Sequence, residues 1–152
     1  MATKITDGVK ITVETTYQPE YSNPANEHYM FAYRVEISNL SDYAVQLMRR
    51  QWLIFDSNSS RREVEGEGVI GVQPVLEPGE IHEYVSGCNL KTTIGKMMGS
   101  YLMERMIDGK QFYVEIPEFN LIVPYKLMQA TINGKNYYFG KERVNQLAVT
   151  IE

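Results

Sequence analysis

The chain has 152 residues, a length typical of a single domain. With 43% hydrophobic and 22% charged residues, it has the composition of a globular protein and not of a disordered or fibrous chain. The formal net charge of -4 argues against a nucleic-acid partner, because a phosphate backbone attracts basic surfaces. The one cysteine, Cys88, excludes an intrachain disulfide and a zinc site built from several cysteines.

Membrane and secretion signals are missing from the sequence. No apolar run reaches 18 residues, and Met1 to Lys10 lack the apolar centre of a signal peptide. We therefore expect a soluble, cytoplasmic protein with no membrane insertion.

Alternation of apolar and polar residues, the period of a half-buried β-strand, dominates the first 123 residues. A change of phase in the third strand predicts a β-bulge near Arg49 to Gln51. Turn signals at Glu77–Glu80 and Asp108–Gly109 separate later strands. Many short strands joined by turns predict an all-β fold, an immunoglobulin-like or fibronectin type III-like antiparallel β-sandwich. The predicted strands are Val9–Tyr17, Tyr29–Ile37, Val45–Ile54, Arg61–Glu67, Ile81–Ser86, Lys96–Met106 and Phe112–Ile116.

The pattern changes at Tyr125. We expect residues 1–124 to form the sandwich domain and residues 125–152 to form a C-terminal extension that packs on it or on a partner. Asn133-Gly134 predicts a second hairpin in this extension, whereas Lys141 to Ile151 fits either a short helix or a strand.

Three adjacent rings, Tyr137, Tyr138 and Phe139, place an aromatic side chain on both faces of the return arm of that hairpin. At least one ring must then contact another layer or a partner. These residues are a candidate partner surface. Unpaired edge strands of a sandwich likewise favour a homodimer.

The glycines Gly66, Gly68 and Gly71 have the spacing GxGxxG. In a dinucleotide-binding fold this motif precedes a helix whose N-terminus faces a pyrophosphate. Here Pro74 and Pro78 follow within a few residues, so no helix can begin where the phosphate would need one. A Rossmann site is therefore excluded.

Two interpretations of the glycines remain open. They can shape a corner between strands, or their amide groups can bind an anion. The second interpretation makes Gly66, Gly68, Gly71, Arg61 and Arg62 a candidate anion loop.

Glu63, Glu65 and Glu67 alternate along one predicted strand and so share a face. Their mutual repulsion would be relieved by a cation, and oxygen ligands suit Mg²⁺, which makes them a weak candidate metal site. The alternative is a solvated acidic edge that discourages strand aggregation. Two arginine pairs, Arg49-Arg50 and Arg61-Arg62, can neutralise these glutamates or form an anion or nucleic-acid footprint.

Groups for catalysis are scarce. The histidines are His28 and His82, and the best nucleophile and base would be Cys88 with His82. A lone cysteine on a β scaffold is more often a small packed hydrophobe. The residues therefore predict neither an enzyme nor a cofactor.

The segment EGEGVIGVQP around the glycines resembles the ApaG family, whose domain is also called DUF525. The similarity covers about residues 5–123, with many markers in the family's order, and the extension departs from the family's usual short end. The markers are Ile11 to Val13, Tyr17, Asn26, Tyr29, Phe31 to Tyr33, Ile37 to Leu40, Val45 to Leu47, Trp52 to Ile54, Gln73, Pro74, Pro78 to Glu80, Tyr84, Ser86, Gly87, Thr93, Gly95, Met98 to Met103, Phe112 to Pro117 and Phe119.

This resemblance implies an immunoglobulin-like or fibronectin-like sandwich without an established enzymatic activity. Bacterial members are associated with cobalt and magnesium efflux or resistance, and their genes often lie beside a dinucleoside polyphosphate hydrolase and an rRNA methyltransferase. In eukaryotes the domain is fused to F-box proteins and to a DNA polymerase δ interacting protein, as a protein-interaction module. The resemblance thus implies a non-enzymatic binding module with a protein partner, associated with divalent-cation homeostasis. The alternative is a sensor that binds pyrophosphate or a dinucleoside polyphosphate at the glycine loop.

Overall fold

The computed structural model describes residues 1–124 and, beyond them, three short strands at 129–132, 135–138 and 150–151. Two 3₁₀ turns, Pro19–Tyr21 and Pro24–Asn26, connect the second and third strands. The strands are β1 Ala2–Thr6, β2 Val9–Tyr17, β3 Tyr29–Asn39, β4 Val45–Asp56, β5 Arg61–Glu67, β6 Val75–Leu76, β7 Ile81–Leu90, β8 Ile94–Arg105, β9 Gln111–Ile122, β10 Gln129–Ile132, β11 Lys135–Tyr138 and β12 Thr150–Ile151.

The strands form two main sheets that pack face to face. The first has the order β1-β2-β3-β7-β12, and the second has the order β5-β4-β8-β9 with β6 paired to β4. Strands β10 and β11 pair with each other. All of these pairs are antiparallel except β12 with β7. The predicted antiparallel β-sandwich is confirmed.

The core lies between the inward faces of the two sheets. At its centre Trp52 is 1% exposed, and its ring centroid lies 5.3 Å from that of Tyr33 and 5.9 Å from that of Phe119. Aliphatic side chains such as Ile37 and Leu121 fill the space around these rings and are fully buried. Each such side chain stabilises the fold by about 1.5–3 kcal/mol relative to an exposed position.

The predicted bulge in the third strand is confirmed, although it lies earlier than expected. The register of β4 against β8 shifts between Leu47 and Arg49. The shift inserts one residue, so Leu47 and Trp52 both face the core although five positions separate them. The bulge also places Arg50 in phase with the buried Trp52, and Arg50 becomes part of the site described below.

Turn chemistry accounts for the tight connections. In the Glu77–Glu80 turn, Glu80 N–H donates to the carbonyl of Glu77 at 2.9 Å, and Gly79 has a φ of +85°. The Asp108–Gly109 turn closes through Gly109 N–H, which donates to the carbonyl of Arg105 at 2.8 Å. The second hairpin is confirmed by the pairing of β10 with β11.

Strands β1 and β6 are the strands of residues 1–124 that the sequence pattern did not predict. Strand β6 has only two residues, and β1 is the longer of the two. Its residues do not alternate in burial, because β1 lies at the margin of the first sheet. A turn at Asp7, with a φ of +47°, returns the chain into β2. Strand β1 also reaches the second sheet, where Lys4 forms an ion pair with Glu115 of β9.

Candidate functional site

The glycine motif forms a tight turn that follows β5. Val69 N–H donates to the carbonyl of Val72 at 2.8 Å, and Val72 N–H donates back to the carbonyl of Val69 at 3.1 Å. The two residues between them, Ile70 and Gly71, have φ values of +45° and +75°. Two consecutive positive φ angles are those of a type I′ turn. The glycines therefore shape a corner between strands, as the first of the two interpretations expected.

Gly68 is the glycine that this corner requires most. Its φ is +60°, and a Cβ atom there would lie 2.1 Å from the carbonyl oxygen of Val72. Gly71 also has a positive φ, but its Cβ would enter open space. At Gly66 the constraint is the guanidinium of Arg50, whose Nη1 would lie 2.7 Å from an added Cβ.

Ile70, at the tip of the turn, has a strained backbone. A β-branched side chain is an outlier at positive φ, and such conformations cost about 1–3 kcal/mol. Its side chain is 37% exposed, and the aliphatic side chains of Val72 and Val75 are 48% and 44% exposed. The corner thus presents aliphatic groups to solvent on a backbone that the surrounding structure holds in place. We call residues 68–75 the corner loop.

Contacts with β4 hold the corner loop. Met48, the bulged residue, accepts hydrogen bonds from Gly68 N–H at 2.9 Å and from Gln73 Nε2 at 2.9 Å. Arg50 Nη1 donates to the carbonyls of Glu67 at 3.1 Å and Gly68 at 3.2 Å. The β4 bulge and Arg50 therefore anchor both ends of the turn.

The structure does not bring Arg61 and Arg62 to the corner loop. Gly68 lies six residues beyond Arg62, about 20 Å along an extended strand. Arg61 Nη2 lies 3.1 Å from Glu63 Oε1, and Arg62 Nη2 donates to the carbonyl of Asn89 at 2.7 Å.

Within the loop, several groups that an anion would need already have protein partners. The amides of Gly68, Val69 and Val72 donate to protein carbonyls, and the neighbouring cation, Arg50, donates to the carbonyls of Glu67 and Gly68. The geometry therefore favours the structural role of the glycines over an anion-binding role.

The glutamates of β5 are exposed and share the outward face of the second sheet. Alternate residues of a strand lie about 6.6–7 Å apart, too far for one ion to contact all three. Glu67 is opposite Arg49 in the register of β4 and β5, and Glu63 is paired with Arg61. Among the described residues, no group of three or more His, Cys, Asp or Glu side chains is placed to hold a metal ion.

Cys88 and His82 lie apart on β7. They are six residues from each other on one strand, which separates them by about 20 Å. Cys88 is 2% exposed, and the pKa of His82 is lowered because burial disfavours its charged form. This pair cannot act as a nucleophile with its base.

The remaining expectations concern partners and membranes. Tyr137 and Tyr138 belong to β11, Phe139 lies outside the described residues, and the three rings remain a predicted partner surface. Within the part of the chain that the structure describes, no helix has the length and apolar character needed to span a membrane.

Sequence reasoning missed the aliphatic tip of the corner loop and its anchor. The available signal was the run Val69, Ile70, Val72 inside a glycine-rich corner, since turns are normally polar. The role of Arg50 could not be found from the sequence, because it depends on where the bulge changes the phase of β4.

Comparison with known proteins places this chain among close relatives. The ApaG domain model (DUF525) matches residues 19–105, which include the corner loop. Protein ApaG of Anaeromyxobacter dehalogenans is 46% identical over 127 residues, covering 84% of this chain and 99% of that protein. Protein ApaG of Brucella canis is 47% identical over 124 residues, covering 82% of this chain and 95% of that protein. A crystal structure of an ApaA protein from Bordetella pertussis superimposes with a TM-score of 0.75 at 43% identity, covering 77% of this chain and 94% of that chain.

Proposed function

Because this chain belongs to the ApaG family, we propose that it is a non-enzymatic protein-interaction module of the cytoplasm whose docking element is the corner loop. The observation that carries this proposal is the tip of the loop. Ile70, Val72 and Val75 expose aliphatic side chains there, on a turn that is anchored at both ends.

Physical chemistry supports a protein as the occupant of this loop. Exposed aliphatic groups gain about 25 cal/mol for each Å² that a partner removes from water. A rigid loop loses little conformational entropy on binding, which leaves more of that gain as affinity. Strain at Ile70 fits the same role, because strained backbone is concentrated at functional sites.

We propose that the chain influences cobalt and magnesium efflux through its partner protein. The three glutamates of β5 are too widely spaced to share one ion, and Glu63 is already paired with Arg61. A chain that changes the activity or lifetime of an efflux component could alter cation levels without binding the cation itself.

The test compares the proteins captured by wild type and by Ile70→Asp. A charge at the tip should reduce capture of the specific partner at least tenfold. The melting temperature should not fall, because aspartate tolerates the positive φ of position 70 better than isoleucine does. Ile107→Asp is the matched control, since Ile107 is 78% exposed in a different turn. Equal capture by all three proteins would exclude the corner loop as the docking element. Gly68→Val is unsuitable for this test, because its Cβ would meet the backbone of Val72.

A sensor of pyrophosphate or a dinucleoside polyphosphate is the second candidate function. One observation favours it: Arg61, Arg62 and Lys91 line a common surface cleft, in which they outnumber the one carboxylate, that of Asp56. If the chain is such a sensor, the anion would bind at this cleft or at the glycine loop.

Thermal unfolding with pyrophosphate, ATP and diadenosine tetraphosphate, with and without Mg²⁺, tests this candidate. Ligand at about 100 times its dissociation constant adds about 2.7 kcal/mol, or about 5–10 °C for a chain of this size. A shift that Arg62→Gln removes would locate the ligand in the cleft, and a shift that only Ile70→Asp removes would locate it at the loop. The absence of any shift would exclude the sensor.

A further inference from the structure

One end of the sandwich contains a cavity of about 310 Å³ between the two sheets. It lies where β8 ends and β9 begins, and the turn between β1 and β2 and the loop between β3 and β4 complete its wall. Its floor is the margin of the core, because Val45 is 2% exposed and the half-buried Phe112 packs against the buried cluster. We call it the end cavity, and its lining includes Asp7, Tyr43, Val45, Arg105, Lys110 and Phe112.

Hydrogen bonds between loops hold the wall of the end cavity in place. Leu40 N–H donates to the carbonyl of Gly8 at 2.8 Å, which joins the β3–β4 loop to the β1–β2 turn. The fully buried Asn39 donates through Nδ2 to the carbonyl of Tyr43 at 2.8 Å. A cavity whose wall is already ordered loses little conformational entropy when it binds a ligand.

One side of the end cavity is an aromatic ring stacked with a cation. The guanidinium of Arg105 lies 4.8 Å from the ring centroid of Tyr43. Both oxygens of Asp108 accept hydrogen bonds from Arg105 Nε at 3.0 Å, which fixes the plane of the guanidinium. The Tyr43 side chain is still 46% exposed. Aromatic rings pack favourably against other rings and against cations, so this side favours a ligand with an aromatic body.

The free charges of the end cavity are one carboxylate and one ammonium group. Asp108 neutralises Arg105, which leaves Asp7 and Lys110 as the charged groups of the lining. Among the described residues, neither of these two side chains forms an ion pair or a hydrogen bond. The pair complements an occupant that carries one charge of each sign.

We propose that the end cavity binds a free aromatic amino acid. Its ring would lie on the floor beside Phe112 and Tyr43, its ammonium group would face Asp7, and its carboxylate would face Lys110. Ligand pockets span about 300–1,000 Å³, so a cavity at the lower limit suits a molecule of this size. The end cavity is distinct from the corner loop, because β8 pairs with one side of β4, and β6 pairs with the other.

The experiment titrates the full chain with L-phenylalanine and follows the backbone amide signals by NMR. Hydrocinnamate, which lacks the ammonium group, and phenethylamine, which lacks the carboxylate, are titrated in parallel. We expect saturable shifts of the amides of residues 41–45 and 105–112, and at least tenfold tighter binding of L-phenylalanine than of either analogue. L-Leucine should bind about two- to fivefold more weakly than L-phenylalanine, the loss of one cation–π contact.

Two variants assign the charges. Lys110→Gln should weaken L-phenylalanine and hydrocinnamate at least fivefold and leave phenethylamine unchanged. Asp7→Asn should weaken L-phenylalanine and phenethylamine and leave hydrocinnamate unchanged, and asparagine tolerates the φ of +47° at this position. Lys91→Gln and Glu14→Gln are the matched controls, because they remove the same charges from exposed positions outside the end cavity.

Three results would overturn the proposal. They are the absence of saturable shifts with L-phenylalanine, shifts confined to other residues, and equal affinities for L-phenylalanine and its two analogues. Loss of all three ligands in Lys110→Gln or Asp7→Asn would show that the side chain shapes the cavity without facing a ligand charge, and would overturn the charge assignment. Ile70→Asp should bind L-phenylalanine as wild type does, so failure of the corner-loop proposal is distinguishable from failure here.

Discussion

The hydroxyl groups of Tyr84 and Tyr101 share a hydrogen bond inside the core and connect the two sheets. Tyr84 lies on β7 of the first sheet and Tyr101 on β8 of the second. Tyr101 is fully buried and Tyr84 is 8% exposed. Packing between sheets is otherwise apolar around Trp52, so this polar contact favours one alignment of the sheets over shifted ones.

Tyr101→Phe should lower the free energy of unfolding by about 1–3 kcal/mol, because it removes a buried hydrogen bond. For a chain of this size the melting temperature should fall by about 2–4 °C for each kcal/mol. Tyr113→Phe is the control, since Tyr113 is 65% exposed. Urea unfolding measures both variants, and equal stabilities would show that the hydroxyl contact contributes nothing to stability.

The variants Gly68→Ala and Gly71→Ala distinguish two reasons why a position requires glycine: a positive φ angle, and the lack of space for a Cβ atom. Both positions have positive φ, which costs an alanine about 1–2 kcal/mol. At Gly68 the added Cβ also meets the carbonyl oxygen of Val72, and such overlap costs about 1–3 kcal/mol more. Gly68→Ala should therefore be the more destabilising variant in thermal or urea unfolding. Equal losses would mean that the turn relaxes away from the contact.

The fold was predictable because its determinants are local. Alternation places Ile11, Val13 and Val35 on inward faces, and Pro78-Gly79 and Asp108-Gly109 specify turns whose backbone angles other residues rarely adopt. Strand β1 was not predicted because its apolar residues, Ala2 and Ile5, are three positions apart and so lack the period of two.

The site was less predictable because it depends on contacts between distant parts of the chain. GxGxxG identified the corner, but glycine spacing alone does not distinguish a corner from an anion loop. The distinction came from the register of β4 and β5, which places Arg50 beside the loop and Arg61 and Arg62 at the far end of β5. That register depends on a bulge whose position the sequence located only approximately.

Asp108 should titrate well below an ordinary aspartate. The Arg105 guanidinium donates to both of its oxygens, and Lys110 N–H donates to one, so the pKa of Asp108 falls from 3.8 to about 2. A lowered pKa in the folded state contributes stability above about pH 4, and this contribution is lost as the pH falls from 4 to 2. NMR titration of the Asp108 carboxyl carbon measures the midpoint directly.

Arg105→Gln provides the control for this titration. Without the guanidinium, the pKa measured for Asp108 should return towards 3.8. The stability difference between wild type and Asp108→Asn should also shrink between pH 4 and pH 2. A wild-type midpoint near 4 would contradict the ion pair.

Neighbouring arginines of β4 offer a test of how the corner loop is held. Arg50 donates to the carbonyls of Glu67 and Gly68, whereas Arg49 is exposed. Arg50→Gln should cost about 1.5–3 kcal/mol, the usual contribution of a hydrogen bond to a charged group, and should speed hydrogen exchange of the loop amides. Arg49→Gln removes the same charge one residue away and should change stability by less than about 0.5 kcal/mol. If both variants exchange their loop amides equally fast, the bulge at Met48 holds the loop without the guanidinium, and Arg50 is not the anchor.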